Sequence, residues 1–283
     1  MKFKMDYKHR FGFNTQELEL TEILDSLGIA YEDRSNCGIA VVEILESDER
    51  WSTLKPHLDR TDQLVLTTPI YTQVEMENAE WYSLRSSWHW EYPQPNTDNF
   101  GYERNITYSD NFCPECGAHK VQIGNFRIKR APKWGRKCFL SLNWVHDVLF
   151  LNEHAKDILQ SSDLNGFHFM KVLDTKGEKA IEGIYQLCTE GFAQPGIISN
   201  NDTVRTVQAC MTCGLPKYSM TGRGIVYKKS AFEGICTDIV ESTELFGFAH
   251  YAGRKTFINK RFYEVVVKNK LDNKLEIEPV RIV

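Results

Sequence analysis

CPECG at residues 113–117 and CMTCG at residues 210–214 are the stretches on which the reading of this chain turns. Each sets two cysteines three positions apart and follows them with glycine. A tight turn lets both thiolates of such a knuckle reach one metal ion. Gly117 and Gly214 supply the positive φ that closes the turn. One knuckle is half of a tetrahedral site. Two make a closed four-thiolate centre from Cys113, Cys116, Cys210 and Cys213, the kind that holds loops together and keeps no position open for water. The expected cofactor is one structural Zn2+. The knuckles begin 97 residues apart, against roughly 15–20 residues between the pairs of a common zinc ribbon. Loop-closure entropy rises only logarithmically with length, so this span does not forbid a shared ion.

Outward from the knuckles, the pattern recurs. Phe150-Leu151-Asn152 is echoed 107 residues later by Phe257-Ile258-Asn259. In each, two apolar strand residues run into an Asn suited to cap a helix. At the same offset Ala155, Ile158, Leu159 and Leu164 match Phe262, Val265, Val266 and Leu271, the inward positions of an amphipathic helix. After one extra residue, Phe167/Phe169 and Leu275/Ile277 give alternating strand positions. Residues 113–283 are therefore expected to hold two strand–helix–strand pseudo-repeats, stapled by the metal.

Other cysteines leave alternatives open. Cys138 lies 22 residues after Cys116, and Cys236 lies 23 after Cys213. Each repeat could build its own site from three cysteines and His146 or His250. A Cys-x-x-Cys pair also suits thiol exchange, although neither pair sits in a βαβ redox motif. Cys37 and Cys188 occupy apolar stretches and read as inert core thiols.

Residues 1–112 have a different character. They carry 20 acidic and 10 basic side chains, whereas 113–283 carry 18 acidic and 24 basic ones. The sign of the charge changes where the first knuckle begins, which places a domain boundary near residue 112. Asn14 and Glu17 form a capping-box pattern before a helix that Gly28 ends. GIAVVEIL (38–45) reads as a buried strand. A short helix from Ser47 must distort or end at Pro56. QLVLTTPIY (63–71) reads as a strand, and Thr72 with Glu75 opens a helix to about Leu84. Alternating strands and helices predict helices layered on a sheet, so the whole chain reads as α+β or α/β. Residues 86–112 read as an irregular linker, with a short strand before Pro93. Trp88, Trp90 and Tyr92 there are either packing beneath a loop or anchors for a protein partner.

Composition and motifs narrow the function. No run approaches ~18 consecutive apolar residues, so no membrane span is expected. Basic residues near the N-terminus lack a following apolar stretch, which argues for the cytoplasm. No nucleotide-binding glycine pattern, metalloprotease HExxH or nucleophile-elbow GxSxG occurs, so no catalytic residue is assigned and an enzyme is not expected. His146-Asp147 could pair as acid and base, but neighbours on a strand point to opposite faces. The basic stretch Arg127–Lys137, interleaved with aromatics, is either a nucleic-acid surface or a solvated basic ribbon.

With CPECG and CMTCG in view, together with SLNWVHDVLFLNEHAKDIL (141–159) and STELFGFAHYAGRKTFINKRFYEVV (242–266), the chain resembles the bacterial double-CXXCG motif family over about residues 110–283. The resemblance implies that Cys113, Cys116, Cys210 and Cys213 are zinc ligands and implies no catalytic residue. Some members resemble immunity proteins that protect a bacterium from a toxin. The expected role is thus a cytoplasmic zinc-binding interaction protein, with a toxin as partner. The alternative is a nucleic-acid-associated zinc protein of phage or mobile-element origin.

Overall fold

The computed structural model describes residues 5–33, 38–95, 107–109, 111–200, 202–207, 209–247 and 251–283. The fold is α+β. No helix among these residues is long and apolar enough to cross a membrane. The chain forms two compact units, Met1–Asn78 with Met220–Gly224, and Ala79–Ser219 with Ile225–Val283. The expected boundary near residue 112 thus falls inside the second unit.

The first unit runs β1 (Asp6–Asn14), α1 (Leu18–Ser26), β2 (Glu32–Asp33), β3 (Ile39–Leu45), α2 (Glu49–Arg60), β4 (Leu66–Ile70) and α3 (Gln73–Asn78). Its sheet has the order β2-β3-β1-β4, with every neighbouring pair antiparallel. This is the β-α-β-β-α-β arrangement of a ferredoxin-like split unit. Period-2 alternation puts Phe11, Phe13, Ala40, Val42 and Ile44 on one sheet face. Leu20 and Leu24 of α1 and Trp51, Leu54 and Leu58 of α2 share their core. Each Phe, Val, Ile or Leu side chain among them contributes about 1.5–3 kcal/mol when fully buried. Pro69 sits in β4, an edge strand, where a missing N–H costs little.

Several local expectations need correction. The helix at residue 47 does not end at Pro56. α2 continues to Arg60, because Leu58 beyond the proline is buried in the core and holds the last turn down. Thr72 and Glu75 do form a reciprocal capping box, with Thr72 N donating to Glu75 Oε2 at 2.7 Å and Glu75 N donating to Thr72 Oγ1 at 3.2 Å. The helix they open stops at Asn78, however, and Trp81–Ser86 is a strand. Tyr82 and Leu84 are buried at the centre of a sheet, where aromatic residues fit a pleated surface. Asn14 and Glu17 also pair, with Asn14 N donating to Glu17 Oε1 at 3.2 Å, but they span the turn just before α1.

The segment Met220–Gly224 is held in this unit by charge and by close backbone approach. His9 is buried, stacked on Trp51 with ring centroids 3.8 Å apart. Its Nε2 lies 3.0 Å from Glu46 Oε2, and Arg223 Nη2 donates to the same oxygen at 2.5 Å. Gly222 adopts φ +82, and a Cβ there would stand 1.9 Å from the Thr67 carbonyl oxygen.

The second unit runs β5 (Trp81–Ser86), β6 (His89–Trp90), β7 (Phe139–Leu142), β8 (Val145–Leu151), α4 (Glu153–Ser161), β9 (Phe167–Leu173), β10 (Ala180–Thr189), β11 (Val204–Val207), β12 (Lys217–Met220), β13 (Ile225–Tyr227), β14 (Ile239–Glu241), β15 (Thr256–Asn259), α5 (Lys260–Lys268) and β16 (Leu275–Ile282). Two five-stranded sheets have the orders β6-β7-β8-β10-β9 and β13-β16-β5-β15-β14, and β11 pairs with β12. The expected pseudo-repeats are there. α4 joins β8 to β9 with β10 inserted antiparallel between them, and α5 joins β15 to β16 with β5 inserted in the same way. The caps coincide too. Asn152 Oδ1 accepts from Ala155 N at 2.8 Å, and Asn259 Oδ1 accepts from Phe262 N at 3.0 Å. Ala155, Leu159, Phe262, Val266 and Leu271 are buried, while Ile158 and Val265 are half-buried.

Two outcomes test the first unit. Gly222→Ala should destabilise it by about 1–3 kcal/mol through strain and clash. An unchanged melting temperature would show that the 220–224 segment is not docked as described. His9 is held neutral, because burial lowers its pKa below the usual value. Below about pH 6.5 the unfolded chain therefore binds a proton that the folded chain refuses, and stability falls as pH falls. The urea midpoint should drop more steeply below that pH in the native chain than in His9→Gln; equal slopes would contradict a buried neutral imidazole.

Candidate metal centre

Both knuckles fold by the same hydrogen bonds. Gly117 N donates to Cys113 O and Gly214 N to Cys210 O, each at 2.8 Å, while Cys113 N donates to Ala118 O at 2.8 Å and Cys210 N to Leu215 O at 3.1 Å. The glycines adopt φ +72 and +71. Such a turn aims both thiols inward and leaves backbone N–H groups pointing at sulfur.

The two turns face each other. Cys113 Sγ lies 3.8 Å from Cys210 Sγ, and Cys116 Sγ lies 3.7 Å from Cys213 Sγ. All four sulfurs stand within 4.8 Å of one another. An ion with tetrahedral thiolate bonds of about 2.3 Å requires sulfurs about 3.8 Å apart. The Cys113–Cys210 and Cys116–Cys213 separations match that spacing, so the four residues could hold a metal ion, and they are the only cluster of this kind among the described residues. Cys113, Cys116 and Cys210 are buried and Cys213 is half-buried; Ala118, Leu215, Leu245 and Ala252 pack around them. The thiols are not equivalent. Backbone N–H groups of Cys213 and Thr212 pull the Cys210 pKa down to about 6, whereas burial pushes Cys116 up to about 12. Four thiols with no bound cation favour mixed protonation; a cation favours the thiolate throughout.

The remaining candidates lie elsewhere. Cys138 and Cys236 do not belong to the cluster. Cys138 is buried beside the Asn152 side chain, and the Cys236 thiol donates to Gly234 O at 3.6 Å. Cys188 is kept protonated by burial, its pKa raised to about 12, as an inert thiol should be. Cys37 and His250 lie outside the described residues, as does much of the stretch read as a linker. His146 and Asp147 diverge: His146 Nδ1 lies 3.3 Å from His89 Nε2, whereas Asp147 takes the Lys120 ammonium at 3.1 Å.

Trp88 and Trp90 are half-buried and pack on a hydrophobic core with Trp134, while Tyr92 is exposed. Along Arg127–Lys137, Arg130 pairs with Glu91 at 2.5 Å, the Lys137 ammonium sits 4.1 Å from the Trp88 ring centre, and Arg127 packs across Gly177. Leu245 and Ala252 close over the thiols from the second repeat. No spacing in the sequence announced them, since they act by position in the fold and not by type.

The chain matches no family model and shows similarity to no curated protein.

Purified protein should carry about one metal ion per chain. Cys113→Ser or Cys213→Ser should release it and lower the melting temperature of the second unit, because metal-binding energy is folding energy. Full thermal stability in the metal-free chain would contradict the assignment.

Proposed function

We propose that this chain is a zinc-stapled interaction protein of the bacterial cytoplasm: an immunity protein that binds and neutralises a toxin and performs no catalysis. The observation that carries the reading is the closed centre. Four thiols within 4.8 Å of one another, most of them buried, would fill the coordination of a tetrahedral ion and leave it no position for substrate or water. Soft thiolate ligands in a tetrahedral set favour Zn2+. Unpaired cysteines suit a reducing compartment. With the metal given over to holding the fold, the work of the protein falls to its surface. The resemblance of the knuckle segments to the double-CXXCG family points the same way.

Tyr92 and Trp144 offer the surface for a partner. They are 42% and 48% exposed, with ring centroids 6.3 Å apart. The half-buried Trp88 and Trp90 give the Tyr92 segment a rigid base, and rigid exposed aromatics supply binding energy at small entropic cost. The acidic excess of residues 1–112 favours encounter with a basic partner. The nucleic-acid alternative has less support, because Arg130 and Lys137 are already engaged by Glu91 and Trp88.

A toxin gene should lie beside this one, and co-expression of the two should rescue growth and yield a complex. Tyr92→Ala combined with Trp144→Ala should weaken that complex by about tenfold or more while leaving metal content unchanged. Lack of rescue and of any complex, with salt-sensitive binding to DNA or RNA in its place, would overturn the reading in favour of the alternative.

A further inference from the structure

We propose that His89 and His146 form a second metal site in the second unit, an open one that takes a borderline divalent cation such as Zn2+ through two imidazole nitrogens. His89 lies on β6 and His146 near the start of β8, and both residues are exposed. β7 runs between these strands, but the residue in register with His89 there is Ser141, too short to part the rings. His146 Nδ1 stands 3.3 Å from His89 Nε2. Neither ring takes part in the thiolate centre.

The separation suits a shared ion better than a shared proton. Hydrogen bonds from nitrogen usually span about 2.7–3.2 Å, so a proton between these rings would sit in a stretched contact. A tetrahedral ion bound at about 2.0–2.1 Å by each nitrogen needs the two about 3.3–3.4 Å apart. The pair therefore matches one edge of a zinc tetrahedron. Neighbours fix the rings in place. Tyr251 packs edge-on against His146 with ring centres 5.7 Å apart, and the two imidazoles meet at 74° with centres 5.3 Å apart.

The surroundings keep both rings neutral. Partial burial, and then the charge of Arg85, lowers the His89 pKa; partial burial, and then His89 itself, lowers that of His146. A neutral imidazole has a lone pair for a metal, and its proton can reside on the other ring nitrogen, His89 Nδ1 or His146 Nε2. The nearby carboxylates are committed, Glu276 to Arg85 and Asp147 to Lys120. Among the described residues no third ligating side chain joins the pair. Two positions of a tetrahedral ion therefore stay open to water or to a donor from a bound molecule. The thiolate centre is closed and retains its ion. The histidine site, with two ligands, exchanges its ion with the medium and fills only when zinc is supplied.

The full chain, its thiolate centre already loaded, is titrated by calorimetry with Zn2+ at about pH 7.5, above the usual histidine pKa, and with Mg2+ as a hard cation that imidazole does not favour. A further equivalent of Zn2+ should bind and Mg2+ should not. His89→Gln and His146→Gln should each weaken that equivalent by at least about tenfold, since even an outer partner of a metal ligand is worth about 10–100-fold. Both variants should keep the thiolate-bound ion. Acidification below about pH 6 should release the added Zn2+ from the native chain, because a protonated imidazole has no lone pair to give. In the native chain the imidazole 15N resonances of His89 and His146 should shift with the added equivalent while those of the other histidines stay in place, a readout that holds even if a variant fails to fold. Absence of a further equivalent, or one that both folded variants bind unchanged, or one that shifts other histidines in place of this pair, overturns the proposal. So does Mg2+ binding as tightly as Zn2+.

Discussion

The second unit depends on one constraint: four sulfurs from knuckles 97 residues apart must come within bonding distance of one point. Hydrophobic burial is non-directional and cannot alone impose such a fit. The knuckles achieve it by being the same object twice. Their turn hydrogen bonds match, and their glycines take φ within one degree of each other. Each turn presents a pair of thiols, and two pairs opposed make the tetrahedron. A cation there draws all four thiols to one charge state and cross-links chain segments that would otherwise meet only at the entropic cost of a long loop.

The same economy runs through the rest of the chain. A helix joins two parallel strands with an antiparallel strand inserted between them: β1-α1-β2 around β3, β8-α4-β9 around β10, and β15-α5-β16 around β5. In the two copies that follow knuckles, an Asn at the strand end caps the helix in nearly the same φ and ψ. What differs is the source of the inserted strand. β10 follows β9 directly, whereas β5 comes from well upstream, before the first knuckle. That displaced strand is why the compact second unit begins at Ala79 and not at the knuckle.

How much of this was legible follows from the same facts. The four thiols, the Asn caps and the helix faces of the repeats are local patterns, set by residue type and spacing, and they could be read directly. β1 went unread, although His9, Phe11 and Phe13 alternate as a half-buried strand should. Trp81–Leu84 reads as helix in sequence, because a valid capping box stands just ahead of it and only the distant partners β15 and β16 make it a strand. Local signals leave open whether the helix bends or ends at Pro56; burial of Leu58 decides it, and α2 runs on to Arg60. Trp88 and Trp90 offered no such signal, since an aromatic beneath a loop and one on a surface look alike in sequence. The Lys120–Asp147 pair joins a knuckle loop to β8, and no periodicity predicts a pairing of that kind.

The account stands or falls on the closed coordination of the metal. X-ray absorption at the zinc edge of the protein purified without added metal measures it most directly. The account predicts a single shell of four sulfurs at about 2.3 Å and no nitrogen or oxygen ligand. A shell with a nitrogen or oxygen ligand, or with fewer than four sulfurs, would contradict it.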